Sequence, residues 1–189
     1  MPTLVDSGDG FFLPQFSASA KNPRRMPDQS SIDRIEHVDL DETTVHARNE
    51  EIERERRQAV HDLLQENRFA PLRSAARGHR GPWRVHLSID EGRLRLGVRD
   101  ANNAQAETLL IGMGGFRRPV RDYFAVCDSY YSALRRASAQ EIETLDMARR
   151  AIHDRGARLL LERFEEKVNC DLATARRLFT LICVLHIKG

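Results

Sequence analysis

Lysine is nearly absent from this sequence. Only Lys21, Lys167 and Lys188 occur, beside 27 arginines. Arginine offers carboxylates and phosphates a planar fork that an ammonium cannot copy, although arginine-rich coding in a GC-rich genome gives the same bias. Cysteine is equally sparse. Cys127, Cys170 and Cys183 are odd in number and far apart, which excludes a disulfide framework and suits a reducing compartment. Cys127 and Cys183 sit in apolar patterns, where a free thiol behaves as a small hydrophobe. No long apolar run exists. The longest, 178–185, has eight residues, far short of the ~20 that a membrane helix needs. The N-terminus carries Asp6 and Asp9 and no basic region, so no secretory signal is expected. These absences predict a cytoplasmic protein without a membrane partner. The seven histidines contain no His-x3-His pair, no Cys-x2-Cys occurs, and no Gly-x-Ser-x-Gly elbow is present. No metal, no cofactor and no nucleophile of known pattern is therefore expected.

What is present is organised in blocks. The length of 189 residues corresponds to about one domain at ~150 residues each. Residues 1–31 carry Gly8, Gly10, Pro14, Pro23 and Pro27 without a sustained period, and they read as a disordered or loosely docked tail. Phe11, Phe12, Leu13 and Phe16 are its apolar exception. Residues 32–189 are expected to form a single domain. Residues 35–40 make a short strand. Over 48–67, Ile52, Ala59, Val60, Leu63 and Leu64 form the apolar stripe of a charged helix, with Glu50–Arg54 and Glu53–Arg57 at i,i+4 spacing. Residues 70–82 read as a loop, punctuated by Pro71, Gly78, Gly81 and Pro82. Alternation of apolar and polar residues then marks strands over 83–89 and 94–98, joined by a turn at Asp90-Glu91-Gly92-Arg93, with a third over 108–111.

Past Gly112, Gly114 and Gly115, helical spacing takes over. Val120, Tyr123, Phe124, Cys127, Tyr131 and Leu134 mark one helix. Ser138-Ala-Gln-Glu141 is a capping box for a second, which continues through Gly156 to Phe164. Asp171 caps a third, for which 178–187 leaves a terminal strand as the alternative. Strands followed by a block of helices predict an α+β fold. We expect a three- to four-stranded antiparallel sheet packed with about four helices, the C-terminal block being helical.

Two C-terminal segments carry a family resemblance. They are Asp146-Met-Ala-Arg-Arg150-Ala-Ile-His153-Asp-Arg-Gly156 through Glu162-Arg163, and Asp171-Leu-Ala-Thr174-Ala-Arg176-Arg through His186. Upstream, Phe116-Arg117, Asp122-Tyr123-Phe124, Glu55-Arg56, Leu63-Leu-Gln-Glu-Asn67 and Val38-Asp-Leu-Asp41 extend the match. Over about 34–189 the chain resembles a bacterial family, the uncharacterised protein family 0262. The resemblance implies a small cytoplasmic protein and carries over no activity, cofactor or site residue.

Three constellations are candidates for chemistry. His153, Arg149 and Asp146 lie three to four residues apart on one helix and form a weak catalytic candidate, since an oriented imidazole can move protons. The competing reading is a structural network among Arg149, His153, Glu162 and Asp171. Arg117, Arg118, Arg149 and Arg176 are anion-binding candidates, the first two beside the glycine-rich turn 112–115. Residues 68–99 hold eight arginines against Asp90 and Glu91, a local balance of +6. There Arg84, His86, Arg93 and Arg95 fall on outward strand positions and can meet nucleic-acid phosphates, with Trp83 or His86 stacking. Residues 32–67 carry a balance of −6, and the simple expectation is that this acidic helix packs on or near the basic hairpin, or that both are solvated faces. A non-enzymatic interaction or regulatory protein is favoured, with an unknown protein partner or a homodimer through the helices. A nucleic-acid or ribosome-associated binder comes second, and a small enzyme or anion site around Arg149, His153 and Arg176 third.

Overall fold

A computed structural model describes residues 29–41 and 50–186. Residues 1–28 of the tail expected over 1–31, the first two residues of the helix expected from 48 and the extreme C-terminus lie outside the described residues, whereas 29–31 are described. After a single turn of helix α1 (Gln29–Ile32), strand β1 (Ile35–Leu40) leads to helix α2 (Glu50–Gln65). Strand β2 (Phe69–Pro71) and the short helix α3 (Leu72–Ala76) follow. Strands β3 (Trp83–Asp90), β4 (Arg93–Arg99) and β5 (Gln105–Gly112) then run consecutively. A 3-10 turn (Gly114–Phe116) opens helix α4 (Arg117–Ala133), followed by α5 (Ala139–Phe164), β6 (Val168–Cys170) and α6 (Leu172–Leu185).

The fold is α+β, as the order of periods predicts. The main sheet has the order β1-β3-β4-β5. The two hairpins β3–β4 and β4–β5 are antiparallel. At the first of them Glu91 and Gly92 both take positive φ, 46° and 72°, the twist a two-residue hairpin turn requires. At the second, Asp100 Oδ1 accepts from the Asn102 and Ala104 amides at 2.9 and 3.0 Å, and His79 Nδ1 lies 2.7 Å from Oδ2. The purely antiparallel sheet expected from the sequence needs correction. β1 pairs with β3 in parallel, Val38 opposite Val85 and Leu40 opposite Leu87, so the sheet is mixed. Alternation of side chains specifies which face is buried but not the direction of the neighbour. The long connection between β1 and β3 provides the crossover that parallel pairing demands.

The loop expected over 70–82 is also partly ordered. β2 pairs antiparallel with β6, Phe69 opposite Cys170, and α3 follows it. Three-residue strands are too short for a period, so the sequence hid them. By contrast, the stretch for which a terminal strand over 178–187 is the alternative forms a helix through Leu185, and residue 187 lies outside the described residues. Asp171 caps it by accepting from the Thr174 amide at 2.6 Å. Its residues Leu178–Leu185 are all buried, because α6 lies between α2 and α5. A helical segment enclosed on all sides is apolar all round, which explains why 178–185 reads as a nearly unbroken apolar run that a strand would also fit. The inner face of the sheet, with Trp83, Val85, Leu87, Leu94, Leu96 and Val98, shares one core with Leu63, Tyr123, Leu160, Phe164 and Phe179 of the helices.

Candidate functional site

The outer face of the sheet follows directly from strand alternation. Because Val85, Leu87, Leu94, Leu96 and Val98 point into the core, Arg84, His86, Arg93, Arg95 and Arg99 must point out. The register sets Arg84 opposite Arg99, Ser88 opposite Arg95 and Asp90 opposite Arg93. On the far side β5 places Leu110 beside Arg95 and Gln105 beside Arg99. His86, Arg93, Arg95, Arg99, Thr108 and Leu110 are exposed, Leu110 to 56%. Arg84 and Arg99 are like charges in directly opposed positions, an arrangement that disfavours folding slightly. Gly97, opposite His86, leaves bare backbone at the centre of the face, since an added Cβ would find nothing closer than 3.8 Å.

Acids gather at one edge of this face. On β1, Glu36 Oε1 sits 3.4 Å from Arg84 Nη1 and Asp39 Oδ2 sits 2.9 Å from His86 Nδ1. Glu91 approaches Arg93 at 3.4 Å. Arg99 donates to the Asn103 carbonyl at 3.0 Å. Among the described residues, Arg95 has no carboxylate within ion-pair distance. Trp83, a sequence candidate for base stacking, is buried against the core, so its indole is removed from the face. His86 alone of the two remains exposed.

The acidic helix does not cover this face. α2 enters the core through Ala59 and Leu63, on the opposite side of the sheet. Its acids are paired among the helices. Glu50 and Arg54 are 3.8 Å apart, Glu53 binds Arg56 at 2.7 Å instead of Arg57, and Glu51 binds Arg135 of the α4–α5 turn at 2.7 Å. Packing of the acidic helix on the basic hairpin is therefore corrected, and the alternative expectation, that both are solvated faces, fits the exposed arginines of the hairpin.

The helical candidates form a different constellation from the one sequence spacing suggested. Arg149 Nη2 binds Asp146 Oδ1 at 2.9 Å and its Nη1 reaches Glu55 Oε1 at 3.3 Å. Its guanidinium stacks 5.0 Å from the Tyr130 ring centroid. Glu55 also accepts from the Tyr131 hydroxyl at 2.7 Å and the Tyr123 hydroxyl at 3.4 Å. Arg150 pairs with the other oxygen of Asp146 at 2.6 Å, and Arg176 pairs with Asp154. Glu55, which sequence spacing did not single out, is thus the acceptor joining α2, α4 and α5. Glu162 and Asp171 take no part: one lines a surface groove and the other caps α6. His153 lies over Tyr123, ring centroids 5.2 Å apart, and its Nε2 is buried without a hydrogen-bond partner. Burial lowers its pKa to about 4, which leaves a neutral ring of low basicity. Burial also raises the Cys127 thiol to about 12 and Cys183 above its ordinary range, so neither is a poised nucleophile. These side chains tie helices together through charge and hydrogen bonds.

The glycine turn borders two grooves. The larger, about 960 Å3, runs between α4 and α5 and includes Gly115, Arg118, Asp154, Arg155, Arg158 and Glu162. Arg118 leans on Asp122 at 3.7 Å, and Arg117 is simply exposed. The smaller, about 440 Å3, is lined by Gly112, Gly114, Gly115, Leu110, Arg163 and Lys167. The four anion candidates are consequently not gathered at one place, and the cations nearest the glycines come instead from the end of α5, about fifty residues away in sequence. Among the described residues, no three metal-ligating side chains converge, and no helix is long and apolar enough to cross a membrane.

Residues 32–188 match the family model described as an uncharacterised protein family, UPF0262. A UPF0262 protein of Erythrobacter litoralis is 58% identical over 82% of this chain and 98% of its own length. Similar proteins of Novosphingobium aromaticivorans (82% of this chain, 98% of theirs) and Sphingopyxis alaskensis (84% and 96%) are 56% and 51% identical. No solved structure matches.

Proposed function

This chain belongs to the UPF0262 family, and for it we propose a non-enzymatic role in binding single-stranded nucleic acid across the outer face of the sheet. The observation that carries the reading is the row of outward arginines, which the acids of β1 and the β3–β4 turn meet only at its edges and which leaves Arg95 without a carboxylate partner among the described residues. Arg84, Arg93, Arg95 and Arg99 share one exposed face, while the acids of α2 are engaged on the other side. A flat, twisted face with arginines at ladder spacing tracks a flexible phosphate backbone, and Gly97 lets that backbone approach closely. With only the imidazoles of His37 and His86 as exposed rings on this face among the described residues, charge dominates and sequence preference is weak. A cytoplasmic site of action suits three free cysteines, two of them buried.

The enzyme reading is weaker. A His153 of low basicity and two arginines already bound to carboxylates offer neither a general base nor a free anion clamp. A protein-interaction role has one specific support: Leu134, at the C-terminal end of α4, and Met147, in the N-terminal half of α5, are 48% and 61% exposed.

Fluorescence anisotropy with a labelled single-stranded oligonucleotide, repeated across salt concentrations, tests the proposal. Four phosphate contacts predict that log Kobs falls with log salt with a slope near −3, at ~0.7 per contact. Arg95→Gln and Arg99→Gln should each weaken binding and flatten that slope by about 0.7. Failure to bind at low salt sinks the reading. If sedimentation then shows a dimer that Met147→Glu dissociates, an interface through α4 and α5 takes its place.

A further inference from the structure

We propose that the groove between the 112–115 turn and the end of α5 binds a phosphomonoester dianion, carried on the end of a nucleic-acid strand or on a free nucleotide. The strand source rests on the function proposed above, whereas the free nucleotide does not. The groove encloses about 440 Å3 and is lined by Leu110, Ile111, Gly112, Gly114, Gly115, Arg163 and Lys167. Two cations and no carboxylate line it. That sets it apart from the neighbouring 960 Å3 groove, where Asp154 and Glu162 offset Arg118, Arg155 and Arg158. An internal phosphodiester carries one negative charge, but a terminal phosphate carries between ~1.5 and ~2 at neutral pH, so a pair of cations suits the terminal group.

The geometry supports the chemistry. Arg163 Nη2 hangs 3.7 Å from where a Cβ on Gly115 would stand, placing the guanidinium over the turn. Lys167 Nζ donates one hydrogen bond to the Arg163 carbonyl at 3.0 Å and keeps two N–H groups for a ligand. A fork and a point charge are thereby held together at the end of α5, the combination that phosphate oxygens accept most readily. Gly112 and Gly114 form a floor without side chains, and a Cβ at either would meet nothing within 4 Å. The groove also adjoins the basic face. Leu110 and Gly112 sit opposite Arg95 and Arg93 in the ladder, so a strand lying on the sheet reaches this groove on crossing β5.

The open floor supplies a test that leaves the fold intact. Gly114 has no positive φ and no neighbour to clash with, so Gly114→Val fills the groove from below. The full chain is titrated with AMP while amide resonances are followed by NMR, and with oligonucleotides bearing a 5′-phosphate, a 3′-phosphate or free hydroxyls by anisotropy. We expect AMP to shift the Gly112, Gly114 and Gly115 amides saturably, and one terminal phosphate to tighten oligonucleotide binding about tenfold, the effect of a single charge-assisted bond. Gly114→Val, Arg163→Gln and Lys167→Gln should each abolish both effects. AMP shifts without a gain for any oligonucleotide assign the free nucleotide as the source. Equal affinity for all three oligonucleotides together with no AMP shift overturns the pocket, while salt-sensitive binding in that experiment leaves the sheet-face function standing. If no oligonucleotide binds, that function falls and AMP alone judges the pocket. Shifts that survive all three variants also overturn it.

Discussion

His153 illustrates how a residue type can mislead when its surroundings are unknown. Its spacing from Arg149 and Asp146 suggests an oriented acid–base pair. In the structure Asp146 is occupied by Arg149 and Arg150, and His153 Nε2 is enclosed without a partner. Burial depresses the ring's pKa from the ordinary 6.5 to about 4. Below pH 6.5 the unfolded chain takes up a proton that the folded chain resists, so stability is full above pH 6.5 and falls as pH drops towards 4. The loss over that window is on the order of 3 kcal/mol for this ring. Urea melts between pH 7 and pH 4 should show the decline, and His153→Phe should flatten it, since a phenyl ring fits beside Tyr123 and Phe179 without a proton to bind. An equally steep decline in the variant would place the acid sensitivity elsewhere.

Among the elements, α5 and α6 show most clearly how a local rule reverses in context. Gly156 stands in the middle of a helix, where alanine is normally better by about 1 kcal/mol. Here a Cβ on Gly156 would lie 2.4 Å from the ring of Phe179. Gly156→Ala should therefore destabilise the fold, by roughly 1–3 kcal/mol as overpacking does, and Phe179→Leu in the same chain should recover part of the loss in thermal melts. Additive losses would refute the close contact as the cause. A glycine inside a helical pattern signals close packing or a bend, but the sequence does not name the partner, which lies on the next helix. The two N-caps were legible for the opposite reason. Ser138 accepts from the Glu141 amide and Asp171 from the Thr174 amide, bonds spanning three residues that need no tertiary information. β2 and β6 were invisible because each of their three residues depends wholly on the other strand.

For the molecule as a whole, the decisive property is that the hairpin arginines and the acids of α2 lie on opposite sides of the sheet. The separation predicts that binding and stability can be altered independently. The double variant Arg95→Gln/Arg99→Gln should lose oligonucleotide affinity yet unfold within about 0.5 kcal/mol of the parent, as exposed positions do. It should even gain slightly from relief of the Arg84–Arg99 opposition. A large drop in stability would mean that these arginines serve the fold. Strand alternation, helix caps and helical spacing were sufficient to read the α+β order, most elements and the outward arginines, because each depends on neighbours a few residues apart. The parallel partner of β1, the convergence of Glu55 with Arg149, Tyr123 and Tyr131, and the meeting of Arg163 and Lys167 with the 112–115 turn were decided only by tertiary structure. Those contacts join residues from about fifty to ninety-four positions apart. Which of many compatible long-range pairings forms is settled by how the whole chain packs, and no local period records it.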